Sequence, residues 1–236
     1  SMGFVSFPYI FPSLEPVDKM FLSPFMEKVN ARLRAETAMS GEILGVSWFT
    51  NDYRVLTNSV REIASPGDLE GLVIRVPESK VMTDTFKAWG ATAVPLSWAE
   101  VPEAARLGSI DGQENPYSII VGAGLQETQK FLTPIKYNLW CGVVLVNASW
   151  YESLSPELRA AVDKAGIETS KWKMDKSKKE SAQFIDLLKS AGVKFTEPAG
   201  DEKEWVEIGT RIWGELYDQS GGREWVDEVR SELEKH

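Results

Sequence analysis

The chain has one cysteine, Cys141, among 236 residues, and one histidine, His236, which is its last residue. A single thiol forms no intramolecular disulfide and supplies no cysteine metal cluster, so the redox compartment stays open. A terminal histidine reads as an end or tag remnant rather than a catalytic group. Acid-base work near neutral pH would fall to perturbed Asp, Glu, Lys or Tyr, which argues against an enzyme. No apolar run reaches the roughly 18 to 20 residues that span a bilayer, and no leader with a basic start and a long apolar core opens the chain. Ser1-Met2 reads as an expression scar, so a secretion signal removed beforehand stays compatible with the sequence. Phosphate loops of the GxxxxGK[ST] or GxGxxG kind are absent, the Gly-Ala-Gly at 122–124 being too little, and no GxSxG elbow occurs.

Positive charge is also scarce. Acidic residues outnumber basic ones 35 to 26, a net charge of -9 that leaves no broad basic footprint for nucleic acid or an anionic membrane, though a local basic pocket is compatible with it. Apolar residues are plentiful, at 43% with nine Trp, so a chain of this length can bury a core as one large lobe or two small ones.

Organisation follows from local pattern. The aromatic, proline-rich opening to Pro16 predicts an extended segment on a core, and apolar spacing from Val17 to Arg34 predicts a helix interrupted at Ser23-Pro24. A strand follows Gly41. From Ser65 the order is regular: a turn capped by Asp68, a strand at 72–76, a helix at 81–89 ended by Gly90, a strand at 92–96, and a helix at 98–107 ended by Gly108. This alternation predicts a parallel sheet with helices on its faces. A helix near 125–131 and an apolar strand at 139–146 come next. Ser155-Pro156-Glu157 is a helix start, and the pattern runs to Ser190. At about 1.5 Å per residue, a continuous helix there is roughly 50 Å long and outruns a compact lobe, so it should bridge two. Two helices broken near Gly166 or Ser177 are the alternative. The last two helices fall at 202–217 and 224–235.

SIDGQENPY, 109–117, sets Asp, Gln, Glu and Asn within five residues. Asp111-Gly112 and Asn115-Pro116 suit turns, but Gln113 and Glu114 between them do not. A solvated loop is the bland reading, and a ligand-binding loop at a sheet edge the sharper one, set where a third strand should enter the sheet. Arg75 is the informative charge. It lies inside an apolar strand just before Pro77, and an unpaired buried charge costs several kcal/mol, so it needs an acidic partner such as Glu78 or Glu114, or a cleft. Its planar fork matches a carboxylate, and ligands in open α/β sheets bind beyond the carboxyl ends of strands. Arg54 is a second candidate after a strand, with an exposed loop arginine as its alternative. Asn115 could address the same anion, and Trp98 and Trp140 could wall the site or lie in the core. The Asn147-Ala-Ser149 triplet is a sequon that matters only in a eukaryotic secretory setting.

Several stretches together resemble a known family. GDLEGLVIRVPES at 67–79, TFKAWGATAVPLSWAEV at 85–101, GSIDGQENP at 108–116, TQKFLT at 128–133 and VVLVNASWYESLSPELR at 143–159 are similar to solute-binding proteins of TRAP transporters, of the dicarboxylate-binding type. The resemblance implies an α/β, two-lobed fold like that of periplasmic binding proteins, with hinge strands and a long bridging helix. It implies a first lobe of 1–51 and 142–180, incomplete because family members begin with further α/β units, and a second lobe of 52–141 and 181–236. It also implies a periplasmic protein, not an enzyme and without cofactor or metal, that binds an organic acid and delivers it to a membrane permease. Carried over by position, Arg75 pairs with the ligand carboxylate, Arg54 lines the cleft and Asn115 hydrogen-bonds the carboxylate. Trp98 gives an aromatic wall, and Glu78 bears on selectivity. The missing units predict exposed edges and apolar surface on the first lobe, covered by association with another copy; a non-binding, oligomerising fragment is the alternative function.

Overall fold

The computed structural model describes residues 2–11, 13–36 and 41–236. A 3-10 turn at Met2–Ser6 leads to α1 (Leu14–Phe21) and α2 (Phe25–Glu36), parted at Ser23-Pro24 as proline requires. The strand β1 (Gly41–Tyr53) pairs antiparallel with β7 (Leu139–Asn147), from Gly41 opposite Asn147 to Tyr53 opposite Leu139. Both strands run at once into a second sheet. Past Arg54, β1 becomes β2 (Val55–Asn58), and β7 is entered from β6 (Phe131–Thr133), the antiparallel neighbour of β2. Two adjacent connections therefore join the sheets, tied by the Arg54 amide donating to the Asn138 carbonyl at 2.8 Å.

The larger sheet has the order β4-β3-β5-β2-β6-β8, with β3 (Val73–Val76), β4 (Thr92–Pro95), β5 (Gly112–Asn115) and β8 (Lys194–Phe195). It is mixed: β3 runs parallel to β4 and β5, while β2 runs antiparallel to β5 and β6. From β3 the chain passes through α3 (Lys80–Ala88) to β4 on one side, then through α4 (Val101–Leu107) to β5 on the other. The two helices cover opposite faces, Phe86 of α3 packing with Leu56 and Ile74, and Val101 of α4 with Val55 and Leu132. The crevice between β3 and β5 is thus a point where the winding reverses.

The Gly112–Asn115 stretch is neither a solvated loop nor a sheet edge. It is an interior strand with all four residues buried, followed by a short helix, α5 (Tyr117–Gly122), that the sequence pattern did not suggest. The expected helix near 125–131 is a 3-10 turn at Leu125–Glu127 followed by β6.

After α6 (Ala148–Ser153), α7 spans Pro156–Ser190 without a break. Ser155 caps it, its hydroxyl accepting from the Leu158 amide at 3.3 Å. It crosses β1 backbone to backbone: a Cβ on Gly166 would lie 2.3 Å from the Leu44 carbonyl oxygen, and one on Gly45 would lie 2.6 Å from that of Gly166. Met174 reaches the core formed by the N-terminal segment, α1 and α2, while Leu188 reaches the core beneath α4 and α5. The chain ends in α8 (Lys203–Arg211), α9 (Trp213–Leu216) and α10 (Arg223–Leu233). Although the sequence reading grouped 181–236 with the second lobe, Leu216, Trp225 and Val229 pack with Phe4 and Val17 in the first core, and Trp225 stacks on Phe25 at 5.5 Å. On β7, Val143, Val144 and Leu145 are exposed. Among the described residues no helix is long and apolar enough to cross a membrane.

Candidate functional site

Three strand ends meet at the crevice between β3 and β5. Arg75 stands near the carboxyl end of β3, Leu96 and Trp98 follow β4, and Asn115 ends β5. Arg75 lies opposite Val94 and Gln113 in the ladder, with a strand on each side. It is only 3% exposed. Nε and Nη2 both donate to one acceptor, the Leu96 carbonyl, at 2.9 and 2.6 Å. No ion pair forms with Glu78 or Glu114, the two acids that the sequence offered, and Nη1 has no hydrogen-bond partner among the described residues. Burial pulls this guanidinium below its ordinary value, with Glu114 opposing that effect and Arg54 adding to it. The ring of Trp98, 42% exposed, lies 5.8 Å from the guanidinium carbon. Arg75 is therefore an anchored, buried cation that pairs with no acidic side chain among the described residues and has Nη1 left to donate. A planar oxyanion matches such a guanidinium in hydrogen bonding as well as in charge.

Arg54 is not the exposed loop arginine that the sequence alone allowed. It is buried, and Glu114 takes it up: Nε donates to Glu114 Oε2, and Nη2 donates to Oε1 at 2.7 Å and to the Glu114 carbonyl at 2.9 Å. The Tyr137 hydroxyl donates to the same carboxylate. Burial acts against the charged form of Arg54, but the Glu114 carboxylate outweighs it and the net shift is upward. Tyr137 is pushed well up, first by burial and then by Glu114. Arg54 does reach the site through Asn115, whose Oδ1 accepts from Nη2 at 3.1 Å. The structure thus joins Arg54 to Asn115 and Arg75 to Trp98, while Glu78 stands exposed after β3 and acts on Arg75 only through its charge. Trp140 is half-buried on β7.

The Leu96 carbonyl, Glu114, Tyr137 and Gln113 were not among the expected site residues. Glu114 and Gln113 carried a signal in the unexplained polarity of their stretch; Tyr137 and a backbone carbonyl carried none. A separate cavity of about 400 Å³ between α2, β1 and α7 is lined by Glu27, Glu42 and Asp163 and by no cation, so it does not suit an acid. Among the described residues no cluster of His, Cys, Asp and Glu could hold a metal ion.

Comparison with known proteins agrees with this architecture. The family model for bacterial extracellular solute-binding protein, family 7, matches residues 1–220. The C4-dicarboxylate-binding periplasmic protein of Rhodobacter capsulatus is 26% identical over 91% of this chain and 63% of its own length. The 2,3-diketo-L-gulonate-binding periplasmic protein of Escherichia coli strain K12 is 29% identical over 78% of this chain and 60% of its own. The chain thus spans about 60% of the length of these curated relatives. Among solved structures, a TRAP periplasmic solute-binding protein from Ochrobactrum anthropi superposes with a TM-score of 0.86 at 31% identity, over 98% of this chain and 71% of that one. A sugar acid binding protein from Advenella mimigardefordensis, in complex with galactonate, gives 0.87 at 27%, over 99% and 74%. The chain belongs to the bacterial extracellular solute-binding proteins of family 7.

Proposed function

We propose that this chain captures an organic acid by its carboxylate, as the solute-binding part of a TRAP-type uptake system. It would work in the periplasm and hand the acid to membrane permease subunits. The observation that carries this reading is Arg75, a buried cation with no acidic partner at the winding reversal of the sheet. Asn115 gives a second polar contact from the neighbouring strand end, Trp98 walls the site, and exposed Glu78 disfavours ligands with a second negative group on that side. Arg54 serves from behind, holding Asn115. The relatives support the substrate class: one is named for C4-dicarboxylates and another was solved with galactonate.

Removing one partner of a buried ionic contact costs about 2 to 5 kcal/mol, so Arg75→Ala should weaken binding by roughly 30-fold to several thousand-fold. The test is thermal unfolding of the chain and of Arg75→Ala against galactonate, 2,3-diketo-L-gulonate and succinate. A ligand at about 100 times its Kd adds about 2.7 kcal/mol, a readable shift. A shift that survives the substitution would remove Arg75 from the site; no shift with any acid would defeat the carboxylate reading.

A further inference from the structure

Behind Asn115, four buried side chains form a hydrogen-bond chain of one direction. Arg54 Nη2 donates to Asn115 Oδ1 at 3.1 Å, and Asn115 Nδ2 donates to Gln113 Oε1 at 2.5 Å. Gln113 Nε2 donates to Thr57 Oγ1 at 2.7 Å, the one proton of Thr57 Oγ1 has Gln129 Oε1 at 3.3 Å and the Gln113 carbonyl at 3.4 Å within reach, and Gln129 Nε2 donates to the Asp111 carbonyl at 3.4 Å. Asn115, Gln113, Thr57 and Gln129 are all buried. The pairing of β5 with β2 builds the chain, since Gln113 lies opposite Thr57 and Asn115 stands two residues on, on the same face.

The Arg54 end fixes the polarity: a guanidinium can only donate, so neither Asn115 nor Gln113 can be reversed without setting donor against donor or acceptor against acceptor. Arg54 claims the oxygen of Asn115, and Gln113 claims one proton of its nitrogen. Asn115 keeps its second Nδ2–H as a donor, and of the two lone pairs on its oxygen Arg54 takes one. Beside it Arg75 has only donors.

We infer that Gln113 and Thr57 are positioning residues that hold Asn115 as a donor toward the ligand, so that this half of the site selects an ionised carboxylate over the matching carboxamide. The inference rests on the carboxylate reading above and adds its polarity. An ionised carboxylate offers acceptors alone and satisfies both residues. The amide of the same acid replaces one acceptor by an NH2 that the donors of Arg75 and the Asn115 Nδ2–H cannot bond, and it loses the charge that pairs with Arg75.

The experiment compares the acid that shifts unfolding most, out of galactonate, 2,3-diketo-L-gulonate and succinate, with its primary amide. Dissociation constants are measured for the unaltered chain, Gln113→Met, Thr57→Val and Thr57→Ser. The unaltered chain should favour the acid by about 100-fold or more. Gln113→Met, which neither donates nor accepts at that point, should weaken acid binding by about 10-fold and narrow the preference; Thr57→Val should do the same, and Thr57→Ser should restore both. A merely structural loss would weaken acid and amide alike, and that result overturns the inference, as does a Gln113→Met chain with unchanged preference. If the unaltered chain binds none of the acids, the carboxylate reading falls and takes the polarity argument with it. If the unaltered chain binds and the variants do not discriminate, only the polarity argument falls.

Discussion

At the scale of single residues, the two arginines separate by what compensates them. Arg54 and Glu114 are a closed pair, with both side chains out of water and Tyr137 completing the carboxylate. Glu114→Gln would leave a buried guanidinium without its counter-charge, and the loss should be about 3 to 5 kcal/mol. Urea unfolding of this variant would give that figure as a drop in midpoint; a change below about 0.5 kcal/mol, the scale of neutral surface substitutions, would show the pair to be dispensable. Replacing both partners, Arg54→Met with Glu114→Leu, should recover part of the loss, because the orphaned charge rather than the missing attraction causes most of it. Arg75 needed no structure to attract notice, since an apolar strand that carries a guanidinium just before a proline asks for a partner. That Arg54 and not Arg75 takes Glu114 was illegible. The pair is 60 residues apart and exists only through the β2–β5 register. The same register assembles Thr57 and Gln113, which no local pattern unites.

Among the elements, those with strong end signals were legible and those made by burial were not. The long α7 announces its start through Ser155-Pro156 and its end through Gly192, at φ 80°, and α4 ends at Gly108, at φ 70°. In contrast β5 is Gly-Gln-Glu-Asn, four poor strand formers held extended by ladders on both sides, and α5 and β6 are too short for a periodic signature. The turn at Pro66–Leu69 shows how much a few polar atoms settle. Asp68 Oδ2 accepts from the Ala64 and Ser65 amides at 2.9 and 2.8 Å and from the Ser65 hydroxyl at 3.1 Å. The Ser65 amide, then the Ala64 amide, hold this carboxyl below its ordinary value, with burial opposing them. A folded pKa below the unfolded one means stability that is fully present above the unfolded value and lost as pH falls through the folded one. Asp68→Ala should therefore cost about 1 kcal/mol at neutral pH, and the gap to the unaltered chain should shrink in acid below the folded pKa. Urea midpoints at the two pH values check both parts, and a gap that persists undiminished in acid would place the effect outside the carboxylate.

For the whole molecule, the question is what makes the two sheets one cooperative body. The links include the two adjacent strand connections at Arg54 and 134–138, the passage from α8, with Trp205 in the core of Trp89, to α9, with Leu216 in the first core, and α7, which touches the first core at Met174 and the core beneath α4 and α5 at Leu188. The middle of α7 is largely polar but buries Ser170, Met174 and Ser177, so tertiary contacts along one side rather than a continuous apolar stripe hold it in place. Its crossing of β1 at Gly45 and Gly166 fixes the first half, and the packing of Phe184, Ile185 and Leu188 fixes the second. A helix held at both ends transmits order only while its hydrogen-bond ladder is continuous. Lys179→Pro acts at an exposed position between the two contact regions, where proline removes one hydrogen bond and clashes with the preceding turn, at about 3 kcal/mol or more. If α7 carries the coupling, that substitution should split unfolding into two transitions. The first core, with Trp213 and Trp225, would part from the core of the larger sheet, with Trp89 and Trp205, in tryptophan fluorescence resolved by Trp→Phe replacement in each. A single transition, merely lowered in midpoint, would assign the coupling to the strand connections and the α8–α9 passage and leave α7 a passenger on both cores.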